Sequence, residues 1–285
     1  MEQTLSKHSN AAALTLILGA TGKTGSRIYN RLENLGVPVR KGSRSASPAF
    51  DWDNEAGWDD VLSGAEAVYI NFAPDLAVPG ATDKIRGFVE KARAHGVRRA
   101  VLLSGRGEEE AQASEAIVQE SGMAWTIIRA SWFFQNFSEG MFLDMVQSGF
   151  LTLPETDTAE PFVDVDDIAA VAIAALTEEG HEGRLYEVTG PRALTFAEIA
   201  DELTIAAKRP VAYVPLAHER FIEGVRSSGA PKDVVWLLDY LFATVMDGRN
   251  QNITHGVAEA LGRPPTDFAK FARETAATGL WRASS

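Results

Sequence analysis

The feature that most restricts this chain is a short apolar run that breaks into glycines and then turns amphipathic. Residues 14–18 read LTLIL, and Gly19-Ala20-Thr21-Gly22-Lys23-Thr24-Gly25 follows, opening a helical pattern over 23–35 that Gly36 closes. Glycine at a strand end permits a tight turn, a second lets backbone approach an anion, and a third lets helix and strand pack closely. The helix beyond them presents free N–H groups at its N-terminus. GxxGxxG in that setting points to a dinucleotide's pyrophosphate, with Gly19, Thr21, Gly22, Lys23, Thr24 and Gly25 as the candidate residues. Gly22-Lys23-Thr24 also matches the end of a triphosphate-binding loop, but that motif requires glycine at 17, where Ile17 stands inside the strand.

The same alternation continues downstream. A short strand at 38–41 and a further apolar–polar pair lead to AVYINF (67–72), a helical segment near 80–95, RRAVLLSG (98–105), a helix to about 119 and WTIIRA (125–130). Counted this way, AVYINF is the fourth strand, RRAVLLSG the fifth and WTIIRA the sixth. Apolar β-rich runs separated by helices predict an α/β fold, a Rossmann doubly wound parallel sheet buried on both faces. After about Trp132 the pattern loosens to a strand at 184–188, a helix opened by the capping box Thr195–Glu198, a strand near 211–214 and then mostly helix. The expected organisation is a flexible tail over 1–12, an NAD(P)-binding Rossmann domain over 13–155, and a smaller, mostly helical substrate lobe over 156–285 interleaved with the sheet. Within that lobe 235–242 is expected to form core or lid, with Trp236 and Tyr240 within reach of a ligand, and 226–229 and 247–251 to be mobile turns.

Composition narrows the partners. The 285-residue chain carries a net charge of −12 and no cysteine. A polyphosphate duplex or an anionic membrane would be repelled, and thiolate metal sites, disulfides and cysteine nucleophiles are excluded. The expectation is a cytoplasmic protein with a small-molecule substrate, no nucleic acid and no membrane, and with room for a homodimer. No apolar stretch follows Lys7, so the first residues do not read as a signal peptide. Asp164, Asp166 and Asp167 look like metal ligands at first glance, but Asp166-Asp167 precede an apolar helix and are better explained as its N-terminal cap.

Which dinucleotide is indicated by the second strand. A site preferring NAD usually places a carboxylate about 20 residues past the glycines to hold the ribose hydroxyl. Here the strand leads into Arg40-Lys41-Gly42-Ser43-Arg44-Ser45, with no carboxylate until Asp51. A guanidinium can hold a ribose 2′-phosphate bidentately, which a carboxylate would repel. NADP(H) is therefore expected, with Ser43, Arg44 and Ser45 around the extra phosphate and NAD(H) as the lesser alternative.

GATGKTG, Phe50-Asp51-Trp52, LLSG at 102–105, SGMAWTIIRASWFFQNF at 121–137 and PFVDVDDIA at 161–169 occur in this order. Together they resemble the NmrA-like, atypical branch of the short-chain dehydrogenase/reductase superfamily, over most of the chain from 16 to about 203. GKTGSRI, GSRSASP and FDW are similar to the ergot-alkaloid reductases of the festuclavine-dehydrogenase type and their bacterial relatives. The resemblance implies that Asp51 and Trp52 lie by the adenine, that Asn71, Phe72 and Ala73 flank the adenine-side ribose, and that Ser104 faces the nicotinamide.

The superfamily's usual acid, a Tyr with Lys four residues on, has no counterpart: Tyr29, Tyr69, Tyr186, Tyr213 and Tyr240 are followed at that distance by Glu33, Ala73, Gly190, Ala217 and Thr244. Where the pair would fall, the helix reads Gln112-Ala113-Ser114-Glu115-Ala116. Hydride transfer to a simple ketone builds an alkoxide that needs a proton, whereas an iminium or a quinone can accept hydride with little acid assistance. The expectation is an oxidoreductase acting on a conjugated or cationic small molecule in specialised biosynthesis. Trp132, Phe133, Asn136 and Ser104 are its candidate catalytic-site residues, Phe134 is a further member of the aromatic cluster, and Arg129 is a structural partner for a lobe carboxylate. A silent dinucleotide sensor, and an oxygenase or coupling enzyme for aromatic polyketides, are the alternative readings.

Overall fold

The computed structural model describes residues 13–140 and 142–282; the tail expected at 1–12 lies outside the described residues. Six parallel strands form the main sheet in the order β2-β1-β3-β4-β5-β7, comprising β1 (Leu14–Leu18), β2 (Val39–Gly42), β3 (Ala65–Ile70), β4 (Arg99–Gly105), β5 (Ala124–Ala130) and β7 (Arg184–Val188). A two-stranded parallel sheet joins β6 (Phe150–Pro154) to β8 (Ala212–Leu216). The order reverses at β1, so the crevice for a ligand opens at the carboxyl ends of β1 and β3.

The period of two along each strand sorts the core into two layers. Leu16, Leu18, Val68, Ile70, Ala100 and Leu102 face α2 (Trp58–Leu62), α3 (Ala81–Ala94) and α4 (Glu109–Gln119). Ile17, Ala67, Tyr69, Val101 and Ile128 face α1 (Lys23–Asn34), α6 (Val165–Thr177) and α10 (Gly256–Leu261). Most of these side chains are fully buried, each contributing about 2 kcal/mol of transfer free energy. A third core belongs to the lobe, where Phe134, Phe137, Phe142, Phe162, Phe196, Phe268 and Trp281 pack among α5 (Leu143–Ser148), α7 (Phe196–Ala207), α8 (His218–Ser227), α9 (Lys232–Tyr240) and α11 (Phe268–Ala277).

Several expectations are corrected. Residues 43–64 form a loop, a short 3-10 turn (Glu55–Gly57) and α2, not a strand. Trp58, Val61 and Leu62 recur at helical spacing and are fully buried, and the rings of Phe50, Trp52, Trp58 and Phe88 pack edge to face. Asn71 therefore follows the third strand, Ser104 ends the fourth, and Trp132 follows the fifth. The cap of α6 is Asp164, whose carboxylate accepts the Asp166 N–H at 2.9 Å. Asp166 instead pairs with Arg27 and Arg31 of α1, and Asp167 with Arg263. The capping box of α7, in which Thr195 and Glu198 bond each other's backbone N–H, forms as expected.

Candidate functional site

The first βα turn is built around contacts that only glycine allows. Gly19 has φ +64°, and a Cβ there would meet the Asn71 amide at 2.7 Å. A Cβ on Gly25 would lie 2.2 Å from the Gly19 carbonyl oxygen, so α1 can seat against the strand end only without one. Gly22 stands at the cap position of α1 and offers no side-chain oxygen, leaving the helix N-terminus free to meet an anion. Thr24 is turned into the core, where its hydroxyl accepts the Tyr69 O–H at 3.0 Å and the Asn71 Nδ2 at 3.4 Å. Thr21 is exposed at the mouth of the loop.

Beside this turn, Ser43 is buried with its Oγ 3.4 Å from that of Ser45, and Arg44 is exposed. The other cations of this stretch are engaged: Arg40 donates to the Val61 and Ser63 carbonyls, and Lys41 lies 4.4 Å above the Tyr29 ring. Asp51 bonds the Asp53 N–H, and Trp52 donates from Nε1 to the Asn71 carbonyl at 3.3 Å, its ring 4.8 Å from that of Phe72. Ala73 is exposed at the rim. Trp52, Asn71 and Phe72 thus come together just past the end of β3.

From the turn a cavity of about 310 Å³ runs across the ends of β3, β4 and β5, walled by Lys23, Asn71, Ser104, Trp132, Phe133 and Asn136 and closed by apolar side chains of α9. Lys23 bridges its two ends by donating to the Asn136 Oδ1 at 3.2 Å, and burial draws its amine below the usual lysine range. Arg27, pairing with both Glu139 and Asp166, fixes α1 to the segment that carries Asn136. Phe134 is sequestered in the lobe core, 5.0 Å from Phe268, and does not join the cavity wall. Trp236 and Tyr240 stack on each other at 5.1 Å, and Tyr240 donates to Glu110, so Leu237, Leu238 and Leu241 face the cavity instead.

Ser104 does line the cavity, but its hydroxyl is occupied. Strand alternation puts it on the α4 face with Leu102, and it donates to the Glu115 Oε1 at 2.6 Å. Arg129, its neighbour across the strand pair, grips both oxygens of Glu115 at 2.7 and 2.5 Å. The anticipated lobe carboxylate, Glu187, is a weaker partner at 3.5 Å. Glu115 is buried, and a buried carboxylate persists only when paired and hydrogen-bonded. A clamped ion pair therefore occupies the helix where the resemblance would place the Tyr/Lys pair.

Four residues at the far end of the cavity carry no sequence signal of their own. Arg106 and Asn250 are buried and exchange bonds, guanidinium to carbonyl at 2.6 Å and amide to carbonyl at 3.0 Å. These bonds fasten the 247–251 turn, expected to be mobile, to the end of β4. Asp75 and Glu108 also line the cavity. Glu108 begins an acidic triplet that reads as a solvated run, and only the flanking Gly105 and Gly107 hint that something must pack there.

A glycine turn at a topological switch point, joined to an apolar cavity with few polar groups, defines a dinucleotide-binding protein of the Rossmann class. Residues 19–179 match the model of the NAD(P)H-binding family, and the chain belongs to that family and is an oxidoreductase. It is 33% identical over 91% of its length to festuclavine dehydrogenase of Aspergillus fumigatus, covering 96% of that protein. It is 30% identical to the NAD(P)H azoreductase of Xenophilus azovorans, with 93% of this chain and 98% of the relative covered. In structure it is similar to an NADPH-dependent quinone oxidoreductase of Escherichia coli, with a TM-score of 0.77 at 21% identity over 92% of this chain and 99% of the other. Among the described residues no helix is long and apolar enough to cross a membrane.

Proposed function

We propose that this protein is an NADPH-preferring reductase of a conjugated or cationic small molecule, working in the cytoplasm without a Tyr/Lys pair. The carrying observation is a glycine-built helix N-terminus whose Lys23 also walls an aromatic-lined cavity of about 310 Å³. Relatives named for azo and clavine substrates favour acceptors with extended conjugation or an iminium.

In this reading the α1 N-terminus and Lys23 hold the pyrophosphate, and Arg44 with Ser43 and Ser45 holds the ribose phosphate. Asp51, Trp52, Asn71, Phe72 and Ala73 border the adenosine, while Trp132 and Phe133 orient a flat acceptor by stacking. A bound reduced nicotinamide supplies hydride. The protein supplies position and exclusion of water, which in a well-oriented pair lowers the barrier by several kcal/mol.

The test is calorimetric titration with NADPH and NADH, followed by turnover on quinone, azo and iminium panels. NADPH should bind at least tenfold more tightly than NADH, and Arg44→Ala should erase that difference, since a charge-assisted contact contributes about 1.5–3 kcal/mol. Equal affinities in the wild type would refute the preference. A protein that binds coenzyme and consumes none with any acceptor would be a sensor.

A further inference from the structure

Two carboxyl-bearing residues, Glu108 and Asp75, line the same cavity. Glu108 lies in the loop after β4 and Asp75 in the loop after β3. Glu108 is only 5% exposed, and its Oε2 has no hydrogen-bond partner among the described protein donors. Its carboxyl lies flat on Gly105, where a Cβ would come within 2.1 Å of it, so the backbone there is shaped to admit this group. Asp75 is the charge that bears on it most strongly, and it has a donor of its own, the Ala77 N–H at 2.9 Å from Oδ1.

The proton's place follows from these contacts. Two desolvated carboxylates side by side cannot both ionise. Asp75, with backbone support, is the better anion, and Glu108, with none, is the better acid. Burial and then the Asp75 charge push Glu108 well above the usual carboxyl range, and burial raises Asp75 as well. The pair titrates as a unit.

We propose that Glu108 is the proton donor of the acceptor site, with Asp75 as its positioning residue, and that the acceptor is a neutral conjugated molecule, a quinone or an azo compound. This rests on the reductase reading above. Such an acceptor gains two electrons and one hydrogen nucleus as hydride from the reduced nicotinamide, which is oxidised, and is left with negative charge on oxygen or nitrogen. The Glu108 O–H bond breaks as the new O–H or N–H bond forms, and water reprotonates the carboxylate. An iminium ends as a neutral amine and needs no such donor; a quinone, expected from the sequence to need little acid assistance, is left anionic and gains from one, so the pair selects between acceptor classes.

Other polar groups of the wall are committed elsewhere. Ser104 donates to Glu115, Lys23 to Asn136, and Arg106 to the Asn250 carbonyl and Glu187. The charges that bear on Glu108 are Asp75 from the β3 loop and Glu110 and Glu115 from α4, with the Tyr240 phenol of α9 close by. All three carboxylates raise it, so Glu108 keeps its proton to higher pH than an ordinary carboxyl does and loses it as pH climbs.

The experiment compares wild type, Glu108→Gln and Asp75→Asn. NADPH uptake by calorimetry should be unchanged within about twofold in all three, while quinone turnover by Glu108→Gln should fall about 10²–10⁴-fold, the usual contribution of a positioned acid. Iminium turnover should be spared. In the coenzyme-free protein, infrared titration should show a protonated-carboxyl band that disappears in Glu108→Gln. Asp75→Asn should move the alkaline limb of the quinone pH–rate profile toward acid, a shift that a purely structural role would not produce. Should Glu108→Gln fail to fold, that displaced limb decides the matter. Quinone turnover within threefold of wild type in Glu108→Gln, or an unmoved limb in Asp75→Asn, overturns the donor role alone. Absence of coenzyme uptake by the wild type overturns the reductase reading and the donor role with it.

Discussion

The two ends of the crevice are built on different physics. At the coenzyme end the determinants are backbone: glycines at 19, 22 and 25, a helix N-terminus, and side chains that support from behind, as Thr24 and Tyr69 do. At the acceptor end they are buried side-chain charges, with Glu115 clamped by Arg129, Arg106 held by Asn250, and Glu108 against Asp75. A backbone turn fails where an added atom meets backbone, while the charges beside it bear on coenzyme binding rather than on the fold. A charge site tolerates shape changes and fails when one partner is removed.

The sharpest way to break this contrast is Gly25→Ala. Its methyl would sit 2.2 Å from the Gly19 carbonyl oxygen, and neither helix nor strand can yield without leaving the sheet. We expect a stability loss upward of about 3 kcal/mol, read as a lowered midpoint in urea, and no coenzyme uptake. Gly22→Ala is the companion: its Cβ would lie 3.3 Å from the same oxygen, so the fold should survive within about 1 kcal/mol while uptake weakens. Equal effects of the two substitutions would show that the turn is not held by the close approach at Gly25.

Glu115→Ala addresses the other end. Breaking a fully buried pair costs about 3–5 kcal/mol, but Arg129 keeps 21% of its side chain exposed and retains Glu187, so screening reduces the expected loss to about 2–3 kcal/mol. NADPH affinity should change little, because Glu115 lies behind Ser104 and not in the anion site. A variant as stable as wild type would mean that the clamp contributes specificity of position rather than free energy.

The two ends also differ in how much of them a sequence reveals. The coenzyme end was legible because its signal is local: seven consecutive residues carry the turn, and strand and helix periodicities flank it. The capping box at Thr195 and the strand at 184–188 were legible for the same reason. The miscount of strands arose because 58, 61 and 62 belong to a helix too short for its period to stand out. The acceptor end was legible only in its aromatic residues. Its ion pairs and buried hydrogen bonds join residues 14, 58 and 144 positions apart, and no spacing announces them. Strand alternation alone could have turned Ser104 toward α4, and with it Glu115.

A smaller effect sharpens the comparison further, since it concerns a buried carboxyl with weak support. Glu160 is 1% exposed, its Oε1 lacks a partner among the described residues, and Ser131 offers only a long bond of 3.4 Å. Burial lifts its carboxyl from 4.5 to about 7, with the Arg106 charge pulling the other way. The folded protein therefore holds this proton more tightly than the unfolded chain does. Its contribution to stability is fully present below about 4.5 and is lost as pH rises through about 7, a displacement equivalent to about 3 kcal/mol. Glu160→Gln is neutral throughout and should flatten that decline, leaving the variant about 1–2 kcal/mol more stable than wild type in mildly alkaline buffer, since the amide must still be buried. Glu108, also raised, adds a slope of the same sign that the substitution should leave in place. If urea midpoints measured across pH fall equally in both proteins, Glu160 is ionised in the fold and held by Arg106. The acceptor end would then be a chain of satisfied ion pairs, differing from the coenzyme end in chemistry but not in how completely its groups are matched.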